Sequence, residues 1–383
     1  MSQRPARILV VRGHQATPWE LRPWELLDAE RFEVAVLVTP SNDWDVAGVR
    51  LARRHARTVR DVVPLGRVGG LATRLAGDRS VDGGEHFAWA DVVHAEELAY
   101  WFADEAARRK PAGEFRLALT VWETLPLLDA YRNSPARRRR ARVLRATDLF
   151  LAATERARDA LLLEGVEADR IQVCPPGIDL ERFADAAARA VAPAEHLLIS
   201  PGRLVWEKGH QDVLRALAAL DRGLVEAPDG VRPHLLVVGD GPERTRLLAH
   251  AAELGLADRV EVRGVPYDDM PGVYARASAM VLASLPHAGL ELPGQPPRTF
   301  WEEQFGMVLP EALAAGLPVI AACSGAIPAV CGDDATYFSP GDWMELARAL
   351  AAGPLARSPA ERVAHRPERV QGYSIRAAGA RIE

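Results

Sequence analysis

Short apolar runs of strand length recur along this chain, each followed by a helix-prone stretch, and that alternation restricts the fold more than any other feature. Arg7-Ile8-Leu9-Val10-Val11-Arg12 is the first, and residues 32–38, 91–94, 117–121 and 149–152 continue the series. Continuous apolar runs of this length predict strands buried on both faces, which means a parallel sheet covered by helices on each side. A second series occupies 196–200, 235–238, 260–263, 280–283 and 319–322. At 383 residues the chain also exceeds the usual size of a single core. The expected fold class is therefore α/β, with two doubly wound Rossmann-like domains.

Between the two series, Pro175-Pro176-Gly177-Ile178-Asp179, then Phe183 and an alanine-rich stretch to Pro193, read as a turn followed by a linker. This sets the first domain at 1–190 and the second at 191–369, with residues 374–383 helical. Residues 69–86 are rich in Gly, Asp and Arg without periodicity and predict a long loop.

Ligands of open α/β sheets sit beyond the carboxyl ends of the strands. That rule singles out Gly13 and His14 after the first strand, which a plain turn would equally explain. It also singles out Glu123 after 117–121, with capping of the next segment or pairing with an arginine as the alternative. Arg203 and Lys208 flank the loop after 196–200. Of 47 basic side chains only Lys110 and Lys208 are lysine, so a compact ammonium stands out at that loop. An arginine fork and a lysine point charge at a helix start suit a diphosphate.

Two acids eight positions apart, Glu303 and Glu311, straddle the start of a helix expected from about 306 to 315. Gly316 and Pro318 supply its stop, and Pro310 falls in the first turn, where a missing amide hydrogen costs little. Glu303 then lies before the helix and Glu311 about one turn into it. The amides of Gly306, Met307 and Val308 are left open to an anion.

The remaining composition acts mainly by exclusion. A net charge of −5 gives no case for nucleic acid as a partner. Cys174, Cys323 and Cys331 are odd in number and lack metal spacing, so neither disulfide nor zinc is expected. No apolar run approaches 18 residues and no signal peptide is readable, so a cytoplasmic protein is expected. Arg137, Arg138, Arg139, Arg140, Arg142 and Arg145 crowd one helix candidate at 131–145. They suit a solvated face, or alternatively peripheral contact with an anionic membrane or a polyanionic acceptor.

The Glu303-x(7)-Glu311 pair within QFGMVLPEALAAGLPVIA, Gly202-Arg203-Leu204 followed by Lys208-Gly209, and Pro176-Gly177-Ile178-Asp179 together resemble the retaining nucleotide-sugar glycosyltransferases of family 4. The resemblance is firm from about 201 to 338 and implies the GT-B fold, two domains facing a central cleft, with a terminal helix at about 370–383 returning to the first. It implies transfer of a hexose from a GDP- or UDP-sugar to a saccharide, lipid-linked or small-molecule acceptor, with retention and without a metal or other cofactor. Arg203 and Lys208 would hold the donor diphosphate, Glu303 the transferred sugar and Glu311 the ribose hydroxyls. The backbone of Gly264 and Val265 would meet the base, and the Gly13 loop would face donor phosphate and acceptor. Many relatives carry a histidine after the strand corresponding to 117–121, where this chain reads Trp122-Glu123. The competing readings are a nucleotide-sugar epimerase or phosphorylase on the same fold, and a non-catalytic nucleotide-sugar binding module.

Overall fold

The computed structural model describes residues 4–63, 77, 79–128, 134–191, 193–228, 230–288 and 299–383. They form two compact units, 1–177 with 374–383, and 178–373.

The first unit is a seven-stranded, wholly parallel sheet in the order β3-β2-β1-β4-β5-β6-β7. Its strands are β1 (Ala6–Val11), β2 (Phe32–Val38), β3 (Ala52–His55), β4 (Val92–Glu96), β5 (Arg116–Val121), β6 (Leu149–Ala152) and β7 (Ile171–Val173). The continuous apolar run of β1 has a direct structural cause. Successive side chains point to opposite faces, so Leu9 and Val11 join one core cluster while Ile8 and Val10 join another. Each fully buried aliphatic side chain of this kind contributes about 1.5 to 3 kcal/mol.

The second unit repeats the plan with β8 (Leu197–Pro201), β9 (His234–Val238), β10 (Val260–Arg263), β11 (Ala279–Leu282), β14 (Val319–Ala322) and β15 (Thr336–Phe338). Their order, β10-β9-β8-β11-β14-β15, is again parallel throughout. An antiparallel pair, β12 (His287–Ala288) with β13 (Thr299–Trp301), stands between β11 and Glu303. In each sheet the strand order reverses beside the first strand, between β1 and β4 and between β8 and β11. A crevice opens beyond the carboxyl ends at such points.

Two expectations are corrected. The alanine-rich stretch is not a linker: Leu180–Arg189 is a helix whose Leu180 and Phe183 are buried, and it packs on the helices Met270–Arg276 and Val308–Ala314. That packing counts residues 178–190 with the second unit, and 370–373 as well. Of the expected long loop, 69–76 and 78 lie outside the described residues, and the helix Gly84–Trp89 begins over its last three. The arginine-rich helix runs over Ser134–Ala146, and half of its arginines are internal struts. Arg140 pairs with buried Glu164, Arg142 with buried Asp104, and Arg139 stacks on Trp101. Arg137, Arg138 and Arg145 face solvent.

The carboxy-terminal helix Ile375–Ile382 packs on the short helix Arg22–Leu26 of the first unit. Ser374 caps it, and Arg31 pairs with Glu383. Among the described residues no helix is long and apolar enough to cross a membrane.

Candidate functional site

In the second unit the reversal point of the sheet gathers side chains from three distant segments. The loop after β8 carries Arg203 and Lys208, and Ser284 follows β11. Glu303 arrives after β13. Lys208 Nζ lies 2.7 Å from Glu303 Oε2, and the Ser284 hydroxyl donates to the same oxygen at 2.7 Å. The ammonium also sits 4.7 Å from the centre of the Trp301 ring. Lys208 and Glu303 side chains are only 13% and 6% exposed, so the pair is close to a buried one. Oε1 of Glu303 has no donor among the described residues and is the atom left for an incoming hydroxyl.

Backbone geometry explains why these groups meet. Gly209 ends the β8 loop at φ +70°, and a Cβ there would lie 1.8 Å from the Ala283 carbonyl oxygen, so only glycine lets the loop close against the end of β11. Gly325, at φ +55°, lets the turn after β14 press on the Glu303 backbone. Ala326 N donates to the Glu303 carbonyl at 2.7 Å. Glu303 is thus fixed by both its side chain and its main chain.

Arg203 is placed differently. Its side chain is 65% exposed and, among the described residues, reaches Glu207 alone, at 4.0 Å. It is a cation on a well-held backbone.

The expected helix after Glu303 is shorter than predicted, Val308–Ala314, with Pro310 in its first turn and Gly316 at φ +67° after its end. Among the described residues nothing accepts from the amides of Gly306 or Met307, and Val308 opens the helix, where an amide has no intrahelical partner. Glu311 lies on the buried side. Its carboxylate accepts from the Tyr274 hydroxyl at 2.9 Å, and burial pushes it up to about 7, against the pull of Tyr274 and the Arg182 charge. Gly264 and Val265 follow the edge strand β10, where a Cβ on Gly264 would meet the Asp240 carboxylate at 2.6 Å. Pro266 then opens the short turn Tyr267–Asp269, which leads into the helix Met270–Arg276 that carries Tyr274.

In the first unit, Gly13 stands at φ +60° directly after β1, and a Cβ there would enter the Phe102 ring. His14 follows, with Nε2 3.9 Å from Asp43 and its ring edge-on to Phe102. Glu123 is placed as a cap: its Oε1 accepts from the amides of Thr124 and Leu125, both at 2.9 Å. Glu123 therefore caps the residues that follow it.

The acid at this sheet's reversal point that the sequence did not single out is Glu97. It is buried at φ +59°, and its Oε1 accepts from Trp122 N at 2.7 Å and Glu123 N at 3.2 Å. Beside it, buried Arg12 touches His94 at 3.1 Å and Glu96 at 3.4 Å. Burial pushes the Glu97 carboxyl up to about 8, and the neighbouring Glu123 and Glu96 charges add to that shift.

A carboxyl whose folded value exceeds its ordinary 4.5 favours the folded state fully below that value, and the contribution is lost as pH rises through about 8. Glu97→Gln keeps the acceptor for both amides without the charge. It should unfold at a higher temperature than the parent at pH 9 and show little difference at pH 5, as read by calorimetry. Parallel curves for the two proteins across that range would show that Glu97 carries no such penalty.

Residues 25–182 match the family model described as Glycosyltransferase Family 4, and residues 182–353 match Glycosyl transferases group 1. A D-inositol 3-phosphate glycosyltransferase of Nocardia farcinica is 29% identical over 68% of this chain and 58% of its own length. The chain therefore spans less than two thirds of that relative. A GDP-mannose-dependent alpha-(1-6)-phosphatidylinositol monomannoside mannosyltransferase of Mycolicibacterium smegmatis is 27% identical over 76% of this chain and 70% of its own length. Among solved structures, Anabaena Alr3699/HepE in complex with UDP and glucose superposes with a TM-score of 0.68 at 18% identity, covering 98% of this chain and 97% of that one. WaaG, a glycosyltransferase involved in lipopolysaccharide biosynthesis, does so with a TM-score of 0.63 at 18% identity, covering 97% and 95%.

Proposed function

We propose, on the premise that the chain belongs to the GT-B glycosyltransferases of family 4, that it transfers a hexose from a GDP- or UDP-sugar to a saccharide, lipid-linked or small-molecule acceptor with retention at the anomeric carbon. The observation that carries this reading is the 2.7 Å contact between Lys208 and Glu303 at the reversal point of the second sheet, with Ser284 on the same carboxylate. A cation and an anion held side by side are what the reaction needs at its two separating charges.

Breaking the bond between the anomeric carbon and the phosphate oxygen leaves positive character on the sugar and an extra negative charge on the diphosphate. Lys208 and Arg203 offset the second, supported by the amides of Gly306, Met307 and Val308. Glu303 faces the first and orients the sugar hydroxyls through Oε1. Glu311 accepts the ribose hydroxyls, and the backbone at Gly264 and Val265 borders the base. The relatives' names, one GDP-mannose-dependent and one acting on an inositol phosphate, support a nucleotide-sugar donor and a hydroxyl acceptor. Gly13 borders the donor phosphate, and His14 and Glu123 are the acceptor-side candidates.

With two cations assigned to the diphosphate, transfer is expected to proceed without a divalent metal. Turnover of a GDP- or UDP-hexose panel, followed by proton NMR of the product's anomeric signal, should give the donor's own configuration and be unchanged by excess EDTA. An inverted anomer removes the retaining assignment. Activity abolished by EDTA and restored only by Mg²⁺ or Mn²⁺ removes the metal-free one.

A further inference from the structure

The loop that presents both cations is braced from behind by a side chain that motif spacing does not reveal. His210 opens the helix His210–Asp221, a position where a side chain can reach solvent, yet it is only 1% exposed. Its Nδ1 lies 2.8 Å from the Ser200 hydroxyl at the end of β8, and its Nε2 lies 3.2 Å from the carbonyl oxygen of Arg203. A carbonyl oxygen only accepts, so Nε2 carries the hydrogen and Nδ1 receives the serine hydroxyl. The ring is a fixed two-ended strut from strand to loop.

That strut matters because of what it holds. The Arg203 carbonyl is also taken by Val205 N at 2.9 Å, a tight local turn, and the loop is tied further by Gly202 N to Val238 O and Leu204 N to Asp240 O, both at 2.9 Å. These bonds set the backbone, whereas the exposed Arg203 side chain is anchored among the described residues only by Glu207 at 4.0 Å. Where its guanidinium can reach is therefore decided by the backbone beneath it. At its other end the same loop is pinned by Gly209 against Ala283.

We propose that His210, with Ser200, is a positioning residue for donor binding: it fixes the loop that aims Arg203 and Lys208 at the diphosphate. This rests on the donor site proposed above. Beyond its contact with Lys208, Glu303 keeps the Ser284 hydrogen bond and a main chain fixed by the turn at Gly325, so loss of the strut should act on binding more than on the chemical step. The ring is also held neutral: burial pushes it down to about 4, with the Lys208 charge adding to that and the Arg203 carbonyl opposing it. The strut does not change state between pH 6 and 9.

The test compares wild type with His210→Leu, His210→Gln and Ser200→Ala by calorimetry with UDP and with GDP, by donor KM and kcat, and by melting temperature. For whichever nucleotide the wild type binds, His210→Leu should raise Kd and donor KM at least tenfold while kcat falls less than threefold. His210→Gln keeps an N–H for the Arg203 carbonyl and should recover most of the loss, and Ser200→Ala should lie between. A melting-temperature drop with Kd and KM unchanged in the folded fraction overturns the proposal. Should His210→Leu not fold, unchanged Kd and donor KM in Ser200→Ala overturn it equally, because that variant removes the strand end of the strut. A wild type that binds neither nucleotide removes the donor-site reading and this inference with it. Binding by wild type that all three variants match removes this inference alone.

Discussion

Lys208→Ala is expected to lower kcat/KM for transfer by about 2 to 4 kcal/mol of transition-state stabilisation, roughly 30- to 1,000-fold, because a charge-assisted contact to the departing diphosphate is lost. The structure adds a second consequence. Lys208 is paired with a Glu303 side chain only 6% exposed, and removing one member of a nearly buried pair leaves the other charge uncompensated. Such unpairing costs about 3 kcal/mol or more in fully buried cases. Here the Ser284 hydroxyl still donates to Oε2, so the melting temperature should fall by less than that figure implies.

The two consequences separate in a double variant. Lys208→Ala with Glu303→Gln relieves the stranded charge and should recover stability without recovering transfer. If Lys208 were only a strut for Glu303, nucleotide affinity would be untouched in the single variant, and kcat/KM per folded molecule would stay at the parental value. That pair of readings would end the assignment of Lys208 to the leaving group.

Much of the architecture was legible because a strand buried on both faces must be apolar along its whole length. β1, β2, β4, β5 and β6, and in the second sheet β8, β9, β10, β11 and β14, fall where their runs predict. β3 was not legible: Ala52–His55 is an edge strand whose residues are mostly exposed, so Ala-Arg-Arg-His carries no apolar run. β7 and β15 have three residues each, too few to show a period. The helix Leu180–Arg189 was hidden by its alanines, which resemble a linker in composition, although Leu180 and Phe183 already stood three apart as a buried stripe.

The candidate site was legible only residue by residue. The sequence singles out Lys208 for its rarity and Glu303 for its spacing from Glu311, but they are 95 positions apart, and no local pattern says that they touch. Ser284 carries no signal at all, since a serine after a strand is common punctuation. The local bonds of Glu123 were no more legible: two amides immediately follow it, and its carboxylate accepts from both. A histidine just after Lys208-Gly209 was the one available hint of the strut at His210. Its meaning depends on Ser200, ten residues earlier, pointing the same way.

Glu303→Gln should nearly abolish transfer, by about a hundredfold or more in kcat, while the affinity for UDP or GDP stays within about threefold of the parent. Glutamine has the same shape, so one terminal atom can still accept from Ser284 and Lys208, and the turn at Gly325 continues to hold the main chain. What disappears is the negative charge beside the anomeric centre at the moment positive character develops there, and a nucleotide diphosphate without its sugar never meets that charge. Glu311→Ala should give the reverse: weaker nucleotide binding, with transfer recovered in part at saturating donor. Its carboxyl is held by Tyr274 and raised to about 7, so nucleotide affinity in the parent should strengthen between pH 6 and 8 as the carboxylate forms, and Glu311→Ala should flatten that rise. Calorimetry on the two variants across this range separates the roles. Weak nucleotide binding in Glu303→Gln together with parental binding in Glu311→Ala would exchange them, because the acid nearer Lys208 would then be the one the nucleotide needs.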